Sequence, residues 1–536
     1  MIRLKLVAAA TACVWASAGF AQTGSGSGNE PKHGPVEVTA AVQQGTLHSL
    51  RDVVVDPAKF RQMRPRYEHD LPLPHVPDNQ TDNALQSFAG QTALVPVVGS
   101  SVDGVGKGFP GFTVQYAPPD TVGAVGATQY VQVVNTGMAV FDKATKAIVK
   151  GPVPTSTLWT GFGGGCETNN DGDATVVYDK AANRWVISQF SVSTTPYLQC
   201  VAVSQTSDAA GAYNLYAFSY GNTAFPDYPK TGVWPDGYYT TFNIFNGNTF
   251  GGAKLCAYDR AKMLSGQAAT QQCFQLSTSY GGVLPADVDG TAQPPAGTPN
   301  YMMNFGANSL NLWKFHVDWG TPANTTLSAP TNLAVSPFSA ACGGGTCIVQ
   351  PGVNQKLDSL ADRLMFRLAY RNIGGVESLL ATHAVNTSTS KSPKAGAAGV
   401  RWYEIRKSGT SPPVVFQQGT YGPSDATFRW MSSIAMDKVG NIAVGYSASS
   451  SSVYPSLRYA YRASTDTAGT LSGETTMFAG TGSQTGSSLA RWGDYSAMTV
   501  DPVDDCTFWF TSEYIQSNGA FNWSTRIGSF KLPNCN

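Results

Sequence analysis

Charge is what this chain of 536 residues has least of: Asp, Glu, Lys and Arg together make up only 13% of it. The 35 basic residues balance 35 acidic ones, so there is no electrostatic footprint for nucleic acid, and that class is excluded. A disordered solvating chain is excluded as well, because aromatics reach 11% and hydrophobics 42%. No apolar run reaches the roughly 18 residues that a membrane-crossing helix needs. The six His are scattered and no Cys-x-x-Cys occurs, which leaves zinc without a ligand set. There is no Gly-x-Ser-x-Gly, no His-Glu-x-x-His and no phosphate loop. The glycine-rich stretch Gly161-Phe162-Gly163-Gly164-Gly165 lacks a following Lys and reads as a loop, and no organic cofactor is expected. Helical periodicity is scarce too.

What the chain has in plenty is turn chemistry, with 56 Gly and 32 Pro between short β-rich runs. Such runs include Tyr130–Val134, Ala174–Tyr178, Tyr238–Phe242, Leu379–Ala384, Val400–Ile405 and Thr525–Phe530. The stretch from Asp362 to Arg371 fits a helix through Leu360, Leu364 and Leu368. Its aromatics and its β-rich neighbourhood favour a strand. A loose repeat runs through the chain: Phe141-Asp142-Lys143, Tyr178-Asp179-Lys180, Met436-Asp437-Lys438 and Val500-Asp501-Pro502 each end one β run and precede the next. The Asp of each repeat is read as a turn residue that bonds its own backbone. Grouped hairpins give seven units, near 119–153, 172–220, 231–278, 283–337, 356–418, 427–479 and 489–532, of roughly 60 residues each. Radial repetition lets so long an all-β chain avoid exposed edges. The expected fold is a single β-propeller over 113–536, with seven blades, six and eight being the neighbouring counts. It follows a flexible, irregular N-terminal extension at 22–112.

Residues 1–21 read as a signal peptide: Arg3 and Lys5, then the apolar stretch Leu6 to Trp15, then Gly19 and Ala21. Eight further cysteines, an even number in an exported chain, point to disulfides. Neighbours in sequence suggest Cys166–Cys200, Cys256–Cys273, Cys342–Cys347 and Cys506–Cys535. The protein is expected to be secreted or periplasmic and monomeric.

Three groups of residues are candidates for chemistry. Glu167, Asn169, Asp171 and Asp173 alternate oxygen ligands around Gly172, the pattern of a weak Ca²⁺ loop, or else of an Asn/Asp-rich turn. Phe225-Pro226-Asp227-Tyr228-Pro229-Lys230 with Trp234-Pro235-Asp236 offers a sugar platform with a carboxylate pair or an architectural brace, and Arg491-Trp492-Gly493-Asp494 is read as opening the last unit in the same place. A scatter of Arg and carboxylates in the C-terminal half, among them Arg363, Arg367, Arg371, Arg401, Glu404 and Arg429, reads as inter-blade bridging or as a grip on an acidic sugar.

At Arg491-Trp492-Gly493-Asp494-Tyr495-Ser496, Asp504-Asp505-Cys506-Thr507-Phe508-Trp509 and Trp234-Pro235-Asp236-Gly237-Tyr238 the sequence resembles a family of exported bacterial proteins with a sialidase-like propeller. The resemblance covers most of 113–533 and implies location and fold. The Ser-x-Asp-x-Gly-x-Thr-Trp boxes of the sialidases proper are missing. Their Arg triad, nucleophile and acid have possible counterparts in Arg429, Arg458, Arg491, Tyr446, Glu404 and Asp236. The resulting expectation is a propeller that binds or hydrolyses an extracellular polysaccharide or other cell-surface glycan. Asp236 is its acid, Glu404 its carboxylate partner, and Arg429, Arg491, Trp234, Trp430 and Trp492 line its subsite. The alternative is a non-catalytic adhesion, matrix or envelope module.

Overall fold

Branched and ring side chains pack well on a pleated surface, and Gly, Pro, Asn and Asp accept the reversals between strands. The computed structural model describes residues 33–61, 71–72, 76, 80–86, 88, 94–388, 397–486 and 488–536. The expected signal peptide lies outside them. Among the described residues the α-helices are two five-residue turns, Gly164–Thr168 and Arg260–Leu264; the first occupies part of the expected glycine-rich loop. Nearly everything else that is regular is strand.

The strands run as antiparallel meanders. Their first strands are β1 (Val122–Val125), β2 (Thr175–Asp179), β3 (Ala224–Trp234), β4 (Leu284–Val288), β5 (Met365–Ile373), β6 (Phe428–Met436) and β7 (Ala497–Val500). β1, β2, β4 and β6 begin within three residues of the units read from the sequence, whereas β3, β5 and β7 begin seven to nine residues away from theirs. Strand β5 is the stretch where helix and strand had competed. Strands β4 and β5 pair in parallel, Ala286 opposite Leu368, which joins two meanders into one sheet. The first strands pack on one another in chain order, and β7 packs back on β1. Large apolar side chains fill the layers between the sheets, including eight fully buried tryptophans.

The expected flexible lead-in is corrected here for its described part. Glu37–Ala40 pairs with Thr270–Gln275, and Gln43–Leu47 pairs with Tyr213–Ser219. Further along, Val97–Asp103 completes the sheet of β7 against Trp523–Lys531, so an N-terminal strand closes the C-terminal sheet. These are outermost strands. Glu37–Ala40 is exposed along its whole length, so it carries no apolar alternation by which it could be recognised.

The repeated Asp residues are turn residues. Asp142 accepts backbone N–H groups from Ala144 and Thr145, and Asp179 accepts one from Ala182. Asp501 accepts that of Val503, and Asp437 accepts those of Val439 and Asn441. All four disulfides pair as sequence proximity suggested, and Cys506–Cys535 ties the hairpin turn after β7 to the chain end. Four disulfides are consistent with an extracellular or periplasmic protein. No helix among the described residues is long and apolar enough to cross a membrane.

Asp437 yields a prediction. It is fully buried, and burial, outweighing its bonds to Asn441, pushes its carboxyl up from 3.8 to about 6. Between those two values the native state keeps a proton that the unfolded chain releases, so this group costs stability as pH rises through the window. The balance between Asp437→Asn and wild type should therefore move in favour of Asn by up to roughly 3 kcal/mol from pH 4 to pH 8. Denaturant midpoints at both pH values measure it, and a pH-independent difference contradicts it.

Candidate functional site

The sequence-derived pair does not form a site. Asp236 lies in the tight turn after β3, where it accepts the Tyr239 hydroxyl at 3.0 Å and its carbonyl accepts the Trp319 indole N–H at 2.7 Å. Burial raises its carboxyl, the direction expected from its aromatic surroundings. Glu404 sits on Ala398–Ser408, fully buried, and accepts Ser378 Oγ at 2.8 Å, Arg406 Nε at 2.5 Å and Gln417 Nε2 at 2.5 Å. These three hydrogen-bond partners of Glu404 all lie in its own sheet. Arg401, expected beside it, reaches Asp82 instead.

The expected subsite is dispersed as well. Arg429 is clamped between Asp425 and Glu474, with Arg458 and Tyr446 also on Glu474. Three residues of the sialidase mapping thus meet, but Arg491 pairs with Asp494 at the start of β7. Trp234, Trp430 and Trp492 are buried core: the Trp234 indole donates to the Thr298 carbonyl, and Trp430 and Trp492 pack at 5.7 Å between ring centroids. The Trp234 and Trp492 motifs do not occupy equivalent places either. Trp234-Pro235-Asp236 ends an inner strand, whereas Trp492-Gly493-Asp494 precedes one.

The proposed calcium ligands have separate partners. Glu167 accepts the Gly163 N–H, Asn169 donates to Ser191 and Thr194, and Asp171 accepts the Val192 and Ser193 N–H groups. Among the described residues no group of three or more His, Cys, Asp or Glu is placed to hold a metal ion.

A different cluster gathers where the inner strands start. Around those starts the backbone repeatedly enters the left-handed region: Asp120 (φ 49°), Asp173 (φ 46°) and Asp494 (φ 58°) precede β1, β2 and β7, and Tyr228 (φ 56°) lies inside β3 where its register shifts between Asp227 and Lys230. Non-glycine residues held there carry strain, and such strain concentrates at functional sites. The kink turns these side chains inward. The Tyr228 hydroxyl donates to the Asp494 carbonyl at 2.8 Å, and the Tyr495 hydroxyl donates to Asp173 at 3.3 Å. The two tyrosine rings lie 5.0 Å apart. The fully buried Lys230 Nζ sits between them, 2.9 Å from one centroid and 3.2 Å from the other. The Arg363 guanidinium lies 4.6 Å from the Tyr228 centroid while bonded to Asp362.

Electrostatics separates the acids of this cluster. Asp120 is 3% exposed; burial first, then the charges of Asp494 and Asp173, drive its carboxyl well above the usual range, against Arg491 and Asn135. Its Oδ1 has no hydrogen-bond partner among the described residues. Glu513 is likewise raised, by burial and by Asp494, against the Gly493 N–H it accepts. Asp494 is bridged by Arg491. A protonated acid beside an ion-paired carboxylate is a proton donor next to a base. Burial and Arg363 hold the Lys230 ammonium well below its ordinary value, against the pull of Asp173, Asp120 and Asp494.

Tyr228 and Lys230 lie in the candidate motif Phe225-Pro226-Asp227-Tyr228-Pro229-Lys230, whereas no motif in the sequence pointed to Asp120. The available signal was positional: Pro119-Asp120, Gly172-Asp173 and Gly493-Asp494 all stand immediately ahead of a β run.

No family model matches the chain and no curated protein matches it in sequence. Among solved structures, it is similar to an exo-β-1,3-galactanase from Clostridium thermocellum at 11% identity, covering 81% of this chain and 99% of that one, with a TM-score of 0.30. It is also similar to the WD40 domain of SCAP from fission yeast (9% identity, 75% and 81% covered, TM-score 0.31). A third is the catalytic domain of the Coprinopsis cinerea GH62 α-L-arabinofuranosidase (14% identity, 68% and 90% covered, TM-score 0.26). Likenesses at this level do not carry a function from one chain to another.

Proposed function

We propose that the chain is an exported seven-bladed β-propeller that hydrolyses an extracellular polysaccharide at the cluster where its inner strands begin. The observation that carries this reading is the convergence of Asp120, Asp173 and Asp494, each from a different sheet, on the Tyr228–Lys230–Tyr495 stack. Burial and the neighbouring acids drive the Asp120 carboxyl well above its usual range there, and Asp494 is ion-paired. Glycoside hydrolysis needs one carboxylic acid to protonate the leaving oxygen and a second carboxylate to activate water or attack the sugar. Asp120 takes the first role and Asp494 the second. Arg491 orients the carboxylate of Asp494.

The test is a panel of polysaccharides assayed for new reducing ends. Asp120→Asn should lower release about 10²–10⁴-fold, the contribution of a placed general acid, with the denaturation midpoint retained. Asp494→Asn should do the same. Full activity in both variants removes the assignment.

A binding module without turnover is the second reading, and one observation favours it: Arg363 and Arg491 are bridged within the chain, to Asp362 and Asp494, as structural charges are. Glycan retention without release of reducing ends would select it.

A further inference from the structure

The roomiest cavity described in this chain is far from the inner-strand starts, at the rim between the second and third meanders. It has a volume of about 150 Å³, whereas other described cavities measure about 10 Å³, the room of a single water. It exists because of the N-terminal strand. Glu37–Ala40 lies on the edge of Thr270–Gln275, placing Glu37 opposite Cys273 and Thr39 opposite Gln271. Ser219 and Tyr220, at the end of the second meander, form the facing wall.

The lining divides into two kinds of surface. Ile244 and the Tyr220 ring, both buried, are apolar. On the same face of the sheet as Ile244, Lys254 Nζ meets Glu37 Oε2 at 2.5 Å, a donor and an acceptor side by side. Inside, the Tyr220 hydroxyl donates to Gln271 Oε1 at 3.1 Å and Gln271 Nε2 donates to Thr39 Oγ1 at 2.9 Å, which fixes the orientation of the amide and leaves the Thr39 hydroxyl hydrogen free to donate. The Cys256–Cys273 disulfide joins two directly paired strands of the floor, so the site is held by covalent structure.

An ammonium beside a carboxylate matches a vicinal diol, where one hydroxyl accepts and its neighbour donates. The apolar surface of Ile244 and the Tyr220 ring in the same cavity matches the C–H face of a pyranose ring. A free ion would meet both signs of charge, and a purely apolar ligand would leave the Lys254 and Glu37 pair desolvated without compensation. We propose that this cavity is a glycan-binding subsite, separate from the inner-strand cluster, that takes one neutral hexopyranose unit. It does not depend on the hydrolase reading. A chain that lacks turnover would still hold a sugar here.

The experiment is saturation-transfer NMR on the full chain with methyl glucopyranoside, galactopyranoside and mannopyranoside as probes. Saturation should pass to at least one of them. Lys254→Met keeps the packing of the stem and removes the charged donor, and should weaken binding about ten- to hundredfold. Ala224→Trp fills the cavity from its wall without touching the polar pair and should abolish transfer. Circular dichroism melts on each variant confirm that the fold is retained. Absence of transfer to all three probes, or equal transfer in wild type and Ala224→Trp, overturns the proposal.

Discussion

Arg367→Met is expected to be the most destabilising single change in this protein, by about 3–5 kcal/mol, because it leaves buried carboxylates without their cation. Arg367 is 1% exposed and lies where the register of β5 shifts between Met365 and Ala369, an irregularity that re-aims its side chain. Its Nε donates to Asp287 at 2.8 Å, and its Nη1 donates to Asp289 at 2.7 Å and to the Met498 carbonyl at 3.2 Å. One guanidinium therefore ties β4, β5 and β7. Asp287 is itself held by the Val233 N–H, and Asp289 by Lys180 at 2.7 Å.

Burial alone would raise the Asp289 carboxyl, but Arg367 and Lys180 outweigh it and hold it well below its usual range. A depressed carboxyl contributes stability that is present above its unfolded value and is lost as pH falls through the folded one. The gap between wild type and Arg367→Met should thus be widest at neutral pH and narrow below about pH 4. Arg367→Lys keeps a charge but loses the planar fork, and should fall between the two. Urea midpoints at pH 7 and pH 3 measure all three proteins. A neutral-pH midpoint for Arg367→Met equal to that of wild type would show that this bridge is dispensable.

Local chemistry was legible in the sequence and long-range convergence was not. Asp142, Asp179, Asp437 and Asp501 bond backbone groups two to four residues away, so their role is contained in the few residues around them. The cysteine pairs lie close in sequence because each closes a hairpin or a single loop. Trp234-Pro235-Asp236 and Trp492-Gly493-Asp494 misled for the same reason. A tripeptide does not record whether it enters or leaves a strand, and those positions stand about eight residues apart along an inner strand, roughly 25 Å at the usual rise. Glu404 illustrates the other limit. Alternation showed that it faces away from Tyr403 and Ile405, but not that Ser378, Arg406 and Gln417 would absorb its charge within its own sheet. The cluster itself depends on Asp120, Lys230 and Asp494, whose proximity arises only when β7 returns to β1.

Lys230→Met is expected to act in the opposite direction to Arg367→Met, raising stability by about 1–4 kcal/mol at neutral pH, as replacement of buried charge by a matched apolar side chain can. Lys230 is 1% exposed, and among the described residues no carboxylate lies within ion-pair distance of its Nζ. Two tyrosine faces stabilise an ammonium, but by less than its lost hydration. Burial and Arg363 hold its pKa well below 10.5, so between the folded and unfolded values the unfolded chain binds the extra proton. Stability contributed by this group therefore rises with pH across that window. Methionine has no such dependence. The advantage of Lys230→Met over wild type should be largest at pH 7 and shrink toward pH 10, which denaturant midpoints at the two pH values will read. The same variant should lose glycan turnover, because the amine is the centre of the Tyr228–Tyr495 stack and residues kept at a cost in stability are those that function requires. A destabilised Lys230→Met, or an advantage that does not change with pH, would mean that Lys230 is a packed structural cation. The inner-strand cluster would then lose its central group.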